Sequence, residues 1–305
     1  LLRAQPPQVT MHRIDSMLAL PASSMDPLMR VGLYNFKGHA FRLLGKHDEA
    51  LAAQVRSFEL ADSLNDPKGR MDAQIAMAII HMDRDEMDMA RRELLDVYKR
   101  TQVRSAKGNY LVPLLLGALA NKTGQLDSAL FWYGKALPLA EAVPDSMNMC
   151  DIRFNIANVH YKRHAYEEAE RYLLTILGSV PVSGYPQMEA RSAELLATVY
   201  MEQKRWNEVL PLLDRALRIA RENGAGDAME MVLDTRVDYF LVVGDTTAAL
   251  EVSQRLIEVK DSMSAVMREQ TLAEVQADFD LHVVGAGKRP VGPGAARQSR
   301  ETGRS

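Results

Sequence analysis

The feature that most constrains this chain is an internal repeat. Six windows beginning at residues 31, 71, 110, 150, 190 and 230 fall on one frame, with successive spacings of 40, 39, 40, 40 and 40 residues. Position 8 of the frame holds Gly38, Ala78, Gly117, Ala157, Ala197 and Val237, and position 20 holds Ala50, Ala90, Ala129, Ala169, Val209 and Ala249. Position 27 is looser, with Ser57, Val97, Ala136, Ile176, Ala216 and Leu256, while Gly45, Gly124 and Gly244 share position 15. A fixed period of this length marks one supersecondary unit copied along the chain. Each unit buries its apolar face only against its neighbours.

The unit reads as a hairpin of two helices. Small residues at positions 8 and 20 are expected to face each other where the helices cross, because a bulky side chain there would hold them apart. Glycine at position 15 suits the turn, where the chain often needs positive φ as a helix stops. Asn65-Asp66-Pro67, Val143-Pro144-Asp145, the segment from Pro181 to Pro186 and Asn223-Gly224-Ala225-Gly226 supply breaks between units. Composition agrees: 47% of residues are hydrophobic but only 6% are aromatic, and the 17 Met suit irregular gaps between helices.

Residues 110–140, YLVPLLLGALANKTGQLDSALFWYGKALPLA, place Leu116 at position 7, Gly117 at 8, Gly124 at 15, Ala129 at 20, Tyr133 at 24 and Ala136 at 27. This arrangement resembles the tetratricopeptide repeat. The resemblance implies an all-α solenoid, a right-handed superhelix of antiparallel helix pairs, with helix A of each pair lining a concave groove. The period of 40 exceeds the ~34 residues usual for that repeat. The added residues are therefore expected in helix B or in the connecting loop.

The repeats occupy residues 31–259, preceded by an N-terminal helix and linker in 1–30. Residues 9–20 read as that helix, Pro21 to Pro27 as the linker, and Leu1–Gln5 match the end of a signal peptide. Residues 260–284 read as a capping or linker helix with Leu272, Val275, Phe279 and Val283 along one stripe, a surface on which two copies could pair. From Gly285 to Ser305 the sequence turns to Gly, Pro and five basic residues against Glu301, and disorder is expected there.

The remaining features exclude more than they assign. Net charge is −3 overall, too small to announce a nucleic-acid partner, and none is expected for this segment. The single Cys150 forms no internal disulfide, and no stretch approaches the ~20 apolar residues of a membrane-spanning helix. His160 and His164 have the i, i+4 spacing of a zinc pair, but Tyr161 stands where a metalloprotease needs Glu. Asp83-Arg84-Asp85-Glu86-Met87-Asp88 lacks the glycine of a calcium loop and reads as a turn with an acidic helix start. Gly285-Ala286-Gly287-Lys288 lacks the Ser or Thr of a phosphate loop. Neither catalysis, nor a cofactor, nor a metal is expected.

The same resemblance implies which residues line the groove, at positions 2, 5, 9 and 12 of each helix A. They are Asn35, His39 and Arg42; Ile75, Ile79 and Met82; Leu114, Ala118 and Asn121; Asp151, Phe154, Asn158 and Tyr161; Arg191, Glu194, Thr198 and Met201; and Asp234, Asp238 and Leu241. The carboxylate clamp of some members, Lys at 5 with Asn at 9, is replaced in the first repeat by Asn35 and His39. Phe154 and Tyr161 read either as anchors for a bound protein or peptide or as packing against the neighbouring repeat.

Lys260-Asp261-Ser262-Met263, followed by Ala273-Glu274-Val275-Gln276-Ala277-Asp278-Phe279, is similar to the junction in bacterial regulators where a repeat array meets a sensor histidine-kinase or helix-turn-helix output domain. That resemblance implies a sensory or scaffolding segment, periplasmic in location. The other reading is a cytoplasmic adaptor or co-chaperone-like assembly factor that works alone.

Overall fold

The computed structural model describes residues 7–104, 109–142, 146–179 and 185–286, and all regular structure among them is helical. After α1 (Pro7–Leu18) and a short 3-10 turn at Ala22–Ser24, the helices form six hairpins. These pair α2 (Pro27–Leu43) with α3 (His47–Ser63), α4 (Pro67–Asp83) with α5 (Met87–Arg104), and α6 (Leu111–Lys122) with α7 (Leu126–Glu141). The others are α8 (Ser146–Lys162) with α9 (Tyr166–Leu177), α10 (Pro186–Glu202) with α11 (Trp206–Glu222), and α12 (Gly226–Val243) with α13 (Thr246–Ala286). The signal-peptide reading of residues 1–5, the break at 143–145, most of the 181–186 break and the tail from Gly287 lie outside the described residues. The chain divides into two compact units, Leu1–Ser262 and Met263–Ser305.

Three boundaries differ from the sequence reading. The added length of the repeat sits in both helices: α2, α3 and α4 each span 17 residues and are separated by three-residue turns, which accounts for the period of 40. No break separates the sixth repeat from the expected C-terminal helix. Residues 246–286 form one helix of 41 residues, because nothing between Val259 and Ser262 is a Gly or Pro that would stop it. Gly285 and Ala286, expected in the tail, are the last residues of that helix.

Local chemistry explains why the hairpins recur. Every position 15 has positive φ: Gly45 at 69°, Asp85 at 63°, Gly124 at 73°, His164 at 57°, Lys204 at 59° and Gly244 at 85°. In each hairpin the position 16 N–H donates back to the position 11 carbonyl, from Lys46 to Phe41 at 2.9 Å through Asp245 to Phe240 at 2.9 Å, closing a Schellman motif. The backbone requirement is thus constant while glycine meets it in only half the repeats. Helix starts are marked by Asp26-Pro27 and Asp66-Pro67, where the aspartate accepts from Leu28 N at 3.0 Å and Lys68 N at 3.1 Å.

Within a hairpin, position 8 makes room for position 24 rather than for position 20, the partner expected opposite it. A Cβ added to Gly117 would lie 2.5 Å from Cδ1 and Cε1 of Tyr133, and one added to Gly38 would meet the Gln54 side chain. The sequence follows this size rule throughout: Gly is matched with Gln54 and Tyr133, Ala78, Ala157 and Ala197 with Leu94, Leu173 and Leu213, and Val237 with Ser253. Position 20 is buried in all six repeats. Its small side chain lets helix B settle onto its surroundings without strain.

Curvature follows from which helices touch. The A helices α2 and α4, α6 and α8, α8 and α10, and α10 and α12 pack side by side, whereas the B helices of neighbouring repeats meet only sparsely among the described residues. A stack whose A row is closer than its B row bends toward the A row. Helix A therefore forms the inner wall, and the apolar core runs between the rows through Leu94, Leu116, Tyr133, Ile152, Leu173, Leu196 and Leu213.

Candidate protein-binding surface

Inner-wall residues are tied to one another as well as exposed to solvent. Positions 5 and 12 of one repeat meet positions 6 and 13 of the next: Thr235 Oγ1 donates to Glu194 at 2.7 Å, Lys162 Nζ to Asn121 at 2.8 Å, and Arg42 pairs with Asp83 at 2.9 Å. Asn121 also bonds the buried Tyr133, whose hydroxyl burial pushes up to about 12. These side chains align neighbouring A helices. Asn35, Leu114, Asn158 and Thr198 are half-buried on the same wall, while His39, Arg191, Asp234, Asp238 and Leu241 are exposed on it. Ile75 is buried in the core, and Ile79, Met82, Ala118, Asp151 and Met201 are half-buried.

The two aromatics divide. Phe154 is 6% exposed and lies in the core shared with repeats 5 and 6, with the Arg191 guanidinium 4.5 Å above its ring. The packing alternative holds for it, because position 5 in this repeat turns toward the adjoining hairpin and Arg191 covers what remains. Tyr161 is half-buried, 6.2 Å from Tyr166, and burial followed by the Glu202 and Glu194 charges raises its phenol. Of the expected anchors, Tyr161 keeps surface on the wall.

Glu194 is a carboxyl of the wall held away from its ordinary range. Burial raises it, and hydrogen bonds from Thr235 and Thr198 together with Arg191 oppose the rise. Over repeats 4 to 6 the wall carries Asp151, Glu194, Asp234 and Asp238 against Arg191.

The other singled-out residues serve the scaffold. His160 stacks on Tyr172 at 5.9 Å, while His164 Nδ1 meets the Tyr166 hydroxyl at 2.8 Å, so the two imidazoles have different partners. Asp83 and Asp85 pair with Arg42 and Lys122, and His81, by hydrogen bonding to Glu86 at 2.6 Å, holds that carboxyl below its usual range. Cys150 is buried, which pushes its thiol up. Sequence reasoning missed a network between repeats 4 and 5. Arg205 Nη1 reaches Glu170 at 2.8 Å, Tyr200 donates to the same carboxylate at 2.9 Å, and the guanidinium lies 3.8 Å from the Tyr200 ring centroid. Glu170 at position 21, where Leu51, Leu130, Leu210 and Leu250 stand in four other repeats, was the available signal. No helix among the described residues is long and apolar enough to cross a membrane.

This architecture is the tetratricopeptide-type α-solenoid. No protein-family model and no curated protein matches the chain. Many solved structures share its fold. The quorum sensor NprR from B. thuringiensis superimposes with a TM-score of 0.60 at 17% identity, covering 75% of this chain and 65% of that one. A Rap protein complexed with Competence and Sporulation Factor gives 0.58 at 14% identity, covering 87% and 82%. The nearly identical TPR-like repeats of a Podospora anserina kinesin light chain give 0.55 at 15% identity, covering 66% and 99%.

Proposed function

We propose that the chain is a protein-interaction scaffold whose inner wall of A helices receives a peptide or a segment of a partner protein, and that it forms the sensory or scaffolding part of a bacterial signalling protein. The observation that carries the first half is the inner wall itself. The A helices present polar and charged side chains, His39, Arg191, Asp234 and Asp238 among the exposed ones, beside the exposed Leu241 and the half-buried Tyr161 and Met201, whose inner sides pack on the core. Such a surface is concave, preorganised by the contacts between repeats, and binds without folding first. Two structures with this fold support the second half: one is a quorum sensor and another holds Competence and Sporulation Factor. The junction-like sequence from Lys260 to Phe279 points the same way.

The test begins with peptides selected from a random library against the immobilised full chain, and their affinities measured by calorimetry. Asn158→Ala combined with Asp238→Lys on the inner wall is expected to weaken binding at least about tenfold. Arg56→Glu and Glu59→Lys on the outer surface of α3 are expected to leave it unchanged. Selected peptides that respond to the outer pair and ignore the inner one would refute the assignment of the surface.

A further inference from the structure

Five of the six A helices begin at the same place in the frame. Pro27, Pro67, Ser146, Pro186 and Gly226 each open a helix four residues before position 1, whereas α6 opens at Leu111, position 2. Asn109 turns the chain into the helix there, its Oδ1 accepting from Leu111 N at 2.8 Å. All of α2, α4, α6, α8 and α10 end at position 13, so α6, with 12 residues against 17, lacks about 7.5 Å of helix at its N-terminus. The interval between repeats 2 and 3 is also the one of 39 residues.

The helix rows register this. The A helices α2 and α4, α6 and α8, α8 and α10, and α10 and α12 pack side by side, but α4 and α6 do not. Repeats 2 and 3 are joined through α5 instead, where Leu94 and Val97 share a core with Val112 and Leu116 and Tyr98 stands edge-on to Trp132 at 5.0 Å. On the wall side Lys122 bridges them. Its Nζ lies 3.2 Å from Asp85 and donates to the Met82 carbonyl at 3.0 Å, and the two charged side chains are 49% and 81% exposed. At other junctions a packed A–A seam backs the polar link, as with Arg42 and Asp83, Lys162 and Asn121, or Thr235 and Glu194. Interlocked apolar side chains resist displacement, whereas an exposed ion pair contributes little and is screened by salt.

We propose that this junction is the joint of the array: repeats 1–2 turn as one block against repeats 3–6, pivoting on the α5 contacts, and Lys122 is the latch that holds the wall side closed. The motion widens the seam between α4 and α6, which no side-by-side packing of those helices opposes, and leaves the other seams intact. The proposal concerns the frame and survives whatever the wall proves to bind.

Spin-label distances in the full chain, carrying Cys150→Ala, test it. Arg56→Cys with Lys135→Cys reaches across the joint from repeat 1 to repeat 3, and Lys135→Cys with Arg218→Cys reaches equally far in repeats from 3 to 5; all three positions are exposed on B helices. The first pair is expected to give the broader distance distribution. Lys122→Met, or raised salt, is expected to broaden it further and to leave the second pair unchanged, with helical content retained. If Lys122→Met loses helix, Asp85→Asn removes the same ion pair from its other end, at a positive φ that Asn tolerates. Equal widths for the two pairs, a second pair that broadens as much as the first, or a first pair indifferent to both salt and loss of the ion pair overturns the proposal.

Discussion

Replacing Gly117 by alanine adds one methyl group at a helix crossing filled by an aromatic ring. Its carbon would lie 2.5 Å from two ring atoms of Tyr133 and 3.0 Å from a third. Carbon atoms rest at about 3.5–4.0 Å, so the ring must retreat by about 1 Å. It has little freedom to do so, being fully buried and held at its hydroxyl by Asn121. Overpacking of this kind costs ~1–3 kcal/mol. The size rule between positions 8 and 24 makes the sharper statement, because Ala opposite Leu is the pair found in repeats 2, 4 and 5. Tyr133→Leu alone leaves a gap and costs about 1–3 kcal/mol. Gly117→Ala with Tyr133→Leu should then be more stable than the sum of the two by at least about 1 kcal/mol. Urea unfolding followed by circular dichroism measures the cycle, and hydrogen exchange on α6 and α7 localises it, since repeat arrays can unfold in steps. A Gly117→Ala variant as stable as the parent, or strictly additive effects, would refute the packing argument.

Other expectations follow from single observations. No atom lies within 4 Å of a Cβ built on Gly124, where φ is +73°, so Gly124→Ala should cost about 1 kcal/mol from backbone strain alone, whereas Lys204→Gly at φ +59° should stabilise by about 0.5–1 kcal/mol; paired thermal melts check both. Phe154→Ala should lose ~3 kcal/mol in chemical denaturation because it empties a core site, and an unchanged midpoint would contradict the burial. Glu194 is raised in the folded state, so folding binds its proton more tightly, and stability falls as pH rises from the ordinary carboxylate range through the raised value. Glu194→Gln should therefore be more stable than the parent at neutral pH, with the difference shrinking on acidification; a difference independent of pH would count against this.

How much of this was legible in sequence depended on whether a position is governed by local chemistry or by its neighbours. The repeat frame, the hairpins and the αL turn could be read because small residues recur at fixed places and Gly45, Gly124 and Gly244 advertise the turn. Asp85, His164 and Lys204 adopt the same backbone without advertising it; the Schellman bonds enforce what the residue type does not. The lengths of the helices could not be read because motif positions mark crossings rather than ends, so the added residues lengthened the period without moving positions 8, 15, 20 and 27 relative to one another. Position 24 was undervalued as the partner of position 8, since its identity varies while only the sum of the two sizes is kept. On the inner wall, the resemblance implied which positions of helix A to read but could not separate Phe154, buried in the core, from Tyr161, which keeps surface. That distinction is set by the angle between repeats, and no single window of sequence encodes it. The Glu170–Tyr200–Arg205 network was hidden for the same reason, its members being 30 and 35 residues apart.

The central claim is that the row of A helices is the working surface of this molecule. Hydrogen exchange of the full chain, with and without a selected peptide at saturation, tests it most directly. The account predicts that protection concentrates on the A helices, above all α8, α10 and α12, with the B helices α9 and α11 little changed. Protection confined to the B helices, or an A row that exchanges identically with and without peptide, would contradict it.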